Sequence, residues 1–164
     1  MLFRSEKEVF VVEKVFDAFR AAMKRAGAVE LDEAAIERLS DAAFKFDGPG
    51  KGCGRAHLKR DLVGKDVADL AAAAGVKVPA GTDLLFGETK ADHAFVVEEQ
   101  MMPFIPIVRV PNVDAGIAAS LEAEHGYRHT ACIHSNNMEN VTKMARAMNT
   151  TLFVQNGPST AALG

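Results

Sequence analysis

The chain has 164 residues, 48% of them apolar and 25% charged, with a formal net charge of −3. That length supports one domain with a sizeable core, and the weak negative charge excludes a broad electrostatic footprint for nucleic acid or an anionic membrane. With no tryptophan and one tyrosine, the chain is also poorly equipped to stack bases.

Glu8 to Val12 reads as a short buried strand. A helix from about Glu13 to Ala26 follows, with Val15, Phe16, Phe19 and Met23 at helical spacing and Gly27 at its left-handed C-terminal position. A second helix starts after Asp32, which acts as N-cap, and carries Ile36, Leu39 and Ala43 on its apolar face. Leu31 and Ile36 stand at the spacing of a hydrophobic staple. Gly48 to Gly54 is a loop by composition, and a third helix runs from Lys65 to Ala74, ended by Gly75.

Strands are expected at Asp83 to Gly87, Phe95 to Val97 and Ile105 to Val110. Pro103 and Pro106 push the last of these toward a strand start or a sheet edge. Asn112 caps a helix with Val113, Ile117 and Leu121, stopped by Gly126. Thr130 to His134 is a short strand, and Asn136 or Asn137 caps a helix with Val141, Met144, Ala145 and Met148 on one face. Thr151 to Val154 is the last strand, broken by Asn156-Gly157-Pro158. Alternating strands and helices predict an α/β fold, a layered αβα domain with a largely parallel sheet.

No apolar run approaches the ~20 residues of a membrane-spanning helix. Cys53 and Cys132 are too few for a disulfide framework and fit a reduced, cytoplasmic setting. The pairs Cys53 with His57, Cys132 with His134, and His125 with His129 lack a third ligand at zinc spacing, so no metal site is expected. His134 reads as a hydrogen-bonded strand histidine and Cys132 as a small buried hydrophobe. The glycines around Lys51 match neither a P-loop nor a dinucleotide fingerprint. Arg55, Lys59, Arg60 and Lys65 form a mild basic cluster, read as a solvated face that in a CoA enzyme would meet a phosphate. Taken alone, Glu98-Glu99 is a solvated turn before a strand, although a carboxylate so placed can also accept ribose hydroxyls.

Three stretches together carry a resemblance: Glu98 to Val110, Glu124 to Asn136, and Asn149 to Ser159. In this order they resemble the CoA-acylating branch of the aldehyde dehydrogenase superfamily, over about Glu6 to Gly164. The resemblance implies that Glu99 holds the nicotinamide ribose of NAD and that Met101 packs near the nicotinamide. It places Asn156, Gly157, Pro158 and Ser159 on the loop lining the aldehyde pocket. In such enzymes a cysteine attacks a short aldehyde, hydride passes to NAD, and the acyl group of the resulting cysteine thioester passes to the CoA thiol, freeing the cysteine.

The family cysteine is expected near Phe3, where a phenyl ring stands instead, so no catalytic residue is assigned and the chain alone is expected to be inactive. The expectation for 1–164 is thus a partial catalytic domain without the nucleotide-binding domain or the C-terminal segment. Apolar surface left uncovered would favour a homo-oligomer. Microcompartment packaging is a further implication of the resemblance. The alternatives are a non-acylating NAD(P)-dependent relative, the dehydrogenase part of a fused aldehyde-alcohol dehydrogenase, and a non-catalytic interaction domain that keeps the fold.

Overall fold

The computed structural model describes residues 6–47 and 56–162. Phe3, Cys53, Arg55 and the Gly48–Gly54 loop lie outside them. Strand β1 (Val9–Val12) runs directly into α1 (Glu13–Arg25), and β2 (Val29–Glu30) leads to α2 (Glu33–Ala43). The side chain of Asp32 accepts the Ala35 N–H at 2.8 Å, so the expected cap forms. Leu31 and Ile36 meet in one core cluster, as a staple requires. Two short strands absent from the sequence reading, β3 (Phe44–Phe46) and β4 (Ala56–Leu58), pair antiparallel.

Helix α3 (Val67–Ala74) ends on Gly75 at φ +70°, the left-handed C-terminal geometry expected there. Strand β5 (Leu85–Thr89) follows, then one helical turn, α4 (Ala94–Val97), where a strand is expected from Phe95 to Val97. The His93 ring accepts the Phe95 N–H at 3.2 Å, and the turn closes on it. A run of apolar residues this short carries no period, so local capping decides it.

The chain continues through β6 (Phe104–Val110), α5 (Val113–Ala123), β7 (Thr130–Ile133), α6 (Met138–Met148) and β8 (Leu152–Gln155). Asn112 caps α5 through the Ala115 N–H at 2.9 Å, and Asn137, rather than Asn136, caps α6.

The main sheet has the order β1-β6-β5-β2, all parallel, and β7 pairs with β8, also in parallel. Successive residues of β5 face opposite ways, Leu85 into a cluster with α2 and α3 and Phe86 into a cluster with Phe16 of α1. These are the two covered faces of a layered αβα domain.

Strand β6 is interior, not an edge, yet it contains Pro106. Leu85 donates to the Pro103 carbonyl at 2.9 Å, so odd-numbered residues here bond to β5 and Pro106 faces β1. Pairing with β1 begins only at Val9 with Ile107, one residue later. The missing donor therefore falls just outside that ladder.

Gly87 marks a close approach of sheet and helix. A Cβ there would stand 2.5 Å from Ile36 Cδ1 and 3.0 Å from the Leu31 carbonyl oxygen. The isoleucine tip can swing, but the backbone oxygen cannot. Gly87→Ala is expected to cost about 1–3 kcal/mol, read as a lower urea midpoint with an unchanged slope; an unshifted midpoint would contradict the packing.

Candidate functional site

Of the three charged residues immediately before β1, Glu6 and Lys7 each reach a different segment. Glu6 Oε1 accepts the Ser159 N–H at 3.0 Å. Lys7 Nζ donates to the Ala123 carbonyl at the end of α5, at 3.1 Å. Glu8 Oε2 lies 3.7 Å from Lys7 Nζ, and the charge of Glu99 acts on the same carboxyl. Burial alone would raise the Glu6 carboxyl, but hydrogen bonds from the Ser159 backbone and hydroxyl outweigh it. With the nearby His134 charge they hold Glu6 below the usual carboxylate range. Glu8 goes the other way: burial pushes it up to about 7, Lys7 opposes that rise, and the Glu99 charge adds to it.

Glu99 sits between α4 and β6 with its side chain exposed. The neighbouring Gln100 is buried, and its amide donates to the Phe95 carbonyl at 3.2 Å. Met101 then adopts φ +48°, a conformation rare for a non-glycine residue. This splits the methionine pair. Met101 is 72% exposed, while Met102 is buried in the core with Phe95 and Phe104. A carboxylate and an exposed apolar side chain two residues apart thus stand beside the start of a central strand.

The other two segments are joined to this one. After α5, His125, Gly126 and Arg128 all take positive φ, and the Glu124 carboxylate accepts the N–H groups of Gly126 and Arg128. His125 Nε2 lies 3.0 Å from the Val97 carbonyl and ties this turn to the segment carrying Glu99. Asn156, also at positive φ, accepts the Ser135 N–H at 2.9 Å and donates to the Ser135 carbonyl at 3.2 Å. Its amide locks the end of β8 to the end of β7, so its contribution to any pocket is shape rather than a spare hydrogen bond. Gly157 and the exposed Pro158 lead into buried Ser159, whose N–H is the one held by Glu6.

Cys132 is half-buried in β7, not fully buried, and burial together with the Glu6 charge raises its thiol. It is therefore a weak nucleophile at neutral pH. His134 is exposed just beyond β7, whose last residue is Ile133, so the reading of a strand histidine is corrected. His129 Nδ1 meets the Thr130 hydroxyl at 2.6 Å. Among the described residues no group of three potential ligands forms a metal site. Lys59 of the basic cluster donates to the Asp41 carbonyl at 2.6 Å, while Arg60 and Lys65 are exposed. A cleft of about 890 Å³ opens at the carboxyl ends of β2 and β5, the opposite end of the sheet from Glu99. In its wall, Arg20 and Lys24 are engaged with Glu30.

The sequence reading singles out Glu99, Met101 and the 156–159 loop. It quotes Glu6, Lys7 and Glu8 only as neighbours of the expected cysteine. Their signal was nevertheless present: charged residues running straight into an apolar strand need partners wherever they lose solvent.

Over 160 residues, 97% of this chain, the sequence is 45% identical to acetaldehyde dehydrogenase (acetylating) EutE of Salmonella typhimurium, covering 33% of that protein. The structure of Rhodopseudomonas palustris propionaldehyde dehydrogenase with bound propionyl-CoA matches with a TM-score of 0.87 at 38% identity, over 98% of this chain and 34% of that one. Over the stretch it matches, the chain is similar in sequence and fold to CoA-acylating aldehyde dehydrogenases. It spans about a third of the length of the relatives it matches. The Clostridium phytofermentans propionaldehyde dehydrogenase of a fucose utilisation bacterial microcompartment matches with a TM-score of 0.86 at 32% identity, over 97% of this chain and 35% of that one. No protein-family model matches the chain. The αβα layering expected from the sequence matches these solved structures over the stretch they share with this chain.

Proposed function

We propose that this chain is the post-nucleophile part of a catalytic domain that converts a short aldehyde, CoA and NAD to acyl-CoA and NADH. The observation that carries this reading is that the start of β1 gathers two distant segments, the Ser159 N–H through Glu6 and the Ala123 carbonyl, next to the Glu124–Asn136 stretch, through Lys7. The bound NAD supplies a hydride acceptor. The exposed Glu99 carboxylate would accept the ribose hydroxyls, and the exposed Met101 would pack near the nicotinamide. Asn156, Gly157, Pro158 and Ser159 shape the aldehyde side, held in place by Ser135 and Glu6. The reacting sulfur is not among these residues, since Phe3 stands about where the family cysteine is expected.

The non-acylating alternative would pass the acyl group to water. The identity with an acetylating enzyme and the likeness to a structure holding propionyl-CoA support the acylating branch. The likeness to an enzyme of a bacterial microcompartment supports packaging in such a shell within the cytoplasm. Exposed Val15, Leu121, Tyr127 and Met138 support self-association of the isolated chain.

A chimera tests the reading. Residues 6–162 replace the matching third of the Salmonella EutE enzyme, which keeps its own remaining two thirds. The chimera is expected to form NADH from acetaldehyde only when CoA is present. A folded chimera that turns over without CoA would favour the hydrolytic branch, and one with no turnover would refute both.

A further inference from the structure

We propose that Gln100 is a positioning residue: anchored inside the molecule, it holds Glu99 and Met101 outward for a ligand that carries a diol and a flat ring. The ligand half rests on the ribose role proposed above for Glu99; the anchoring itself does not.

From Glu99 to Met102 the side chains alternate, with Glu99 and Met101 exposed and Gln100 and Met102 buried. The two inward residues are the anchors. Met102 enters the apolar core with Phe95 and Phe104. Gln100 is only 3% exposed, and a polar side chain so deeply buried needs a partner. Its amide Nε2 donates to the Phe95 carbonyl at 3.2 Å. That carbonyl belongs to the single turn of α4, and the last four carbonyls of a helix have no intrahelical donor. Because a carbonyl only accepts, the amide is oriented with Nε2 toward Phe95. Its Oε1 is left buried with no hydrogen-bond partner among the described residues.

Two other bonds hold the same stretch. The Gly64 N–H donates to the Met101 carbonyl at 3.2 Å, and His125 Nε2 lies 3.0 Å from the Val97 carbonyl. They fix the backbone on either side, whereas Gln100 holds the residue between the two exposed side chains. With Gln100 and Met102 both turned inward, Met101 is kept at φ +48°. A non-glycine residue stays in that conformation only where its surroundings impose it.

Gln100→Leu separates anchoring from general stability. Leucine suits the buried site and removes the bond to Phe95 together with the unpartnered Oε1. Losing the bond destabilises, losing the unpartnered acceptor stabilises, and the two effects are of similar size. The urea midpoint is therefore expected to stay near that of the unaltered chain while the stretch itself loosens.

NMR of the purified chain reads the anchor. Met101 is expected to show the scalar couplings of a positive φ in the unaltered chain and to lose them in Gln100→Leu. Amide exchange at Glu99 and Met101 is expected to quicken roughly tenfold. Gln100→Met, unbranched and nearly as long as glutamine, repeats the comparison should the leucine variant fail to fold. Unchanged couplings and exchange in a folded variant would overturn the anchoring.

Nicotinamide mononucleotide is the ligand probe. Its binding is expected to weaken roughly three- to tenfold in Gln100→Leu, since the ligand must then order the two side chains itself. Equal binding by a variant whose stretch has loosened would refute the positioning role. No perturbation of Glu99 by the mononucleotide in the unaltered chain, with the exchange result intact, would remove the ribose reading and leave the anchoring standing.

Discussion

Phe95→Ala is expected to cost about 3–5 kcal/mol, the range for emptying a fully buried aromatic site. The ring of Phe95 lies 5.0 Å from that of Phe44 and 4.6 Å from that of Phe104, and it stacks 5.5 Å from His93. All three phenylalanines are buried within one cluster that also receives Met102. Removing the ring leaves a cavity bordered by a helical turn of four residues, an element too short to hold itself together without packing. The damage should spread to the Glu98–Met102 turn, because Gln100 hangs from the Phe95 carbonyl. Denaturant unfolding gives the energy, and amide exchange at Glu99 and Gln100 gives the local effect. A loss under about 1 kcal/mol would mean the site collapses freely, against the close packing expected of such a core.

The second large effect is an absence. Purified 164-residue chain, given acetaldehyde or propanal with CoA and NAD, is expected to yield no NADH above a boiled control. The chemistry proposed above needs a thiolate, and burial and the charge of Glu6 favour the thiol form of Cys132. Cys53 lies outside the described residues, in a glycine-rich stretch without a histidine base close in sequence. Intact-mass analysis after incubation is expected to show unmodified protein. An acyl adduct on either cysteine that appears and decays with turnover would refute the expectation.

Much of the layering was legible because it rests on period and punctuation. Phe16, Ile36, Leu39, Val141 and Met144 recur at helical spacing, Asp32 and Asn112 cap their helices, and Gly75 ends one. What escaped was short or decided by contacts distant in sequence. The two residues of β2 are a strand only because β5 lies alongside, and β3 exists only through β4. The Phe95–Val97 turn looked extended because three apolar residues cannot show which period they follow. Of the candidate site, the sequence marked Glu99 and the 156–159 loop. It did not reveal that Asn156 spends its amide on Ser135, or that Glu6 holds the Ser159 N–H. Those are facts about which segments meet, and the order of residues along the chain does not encode them locally.

Pro106 has a consequence beyond its own strand. With no hydrogen to give, it cannot hold the Lys7 carbonyl, and the ladder between β1 and β6 starts at Val9. Glu6 and Lys7 thereby lie outside the flat, alternating regime of the sheet and reach Ser159 and the end of α5. A missing amide proton in one strand thus decides where its neighbour stops being scaffold and begins to act as a hub.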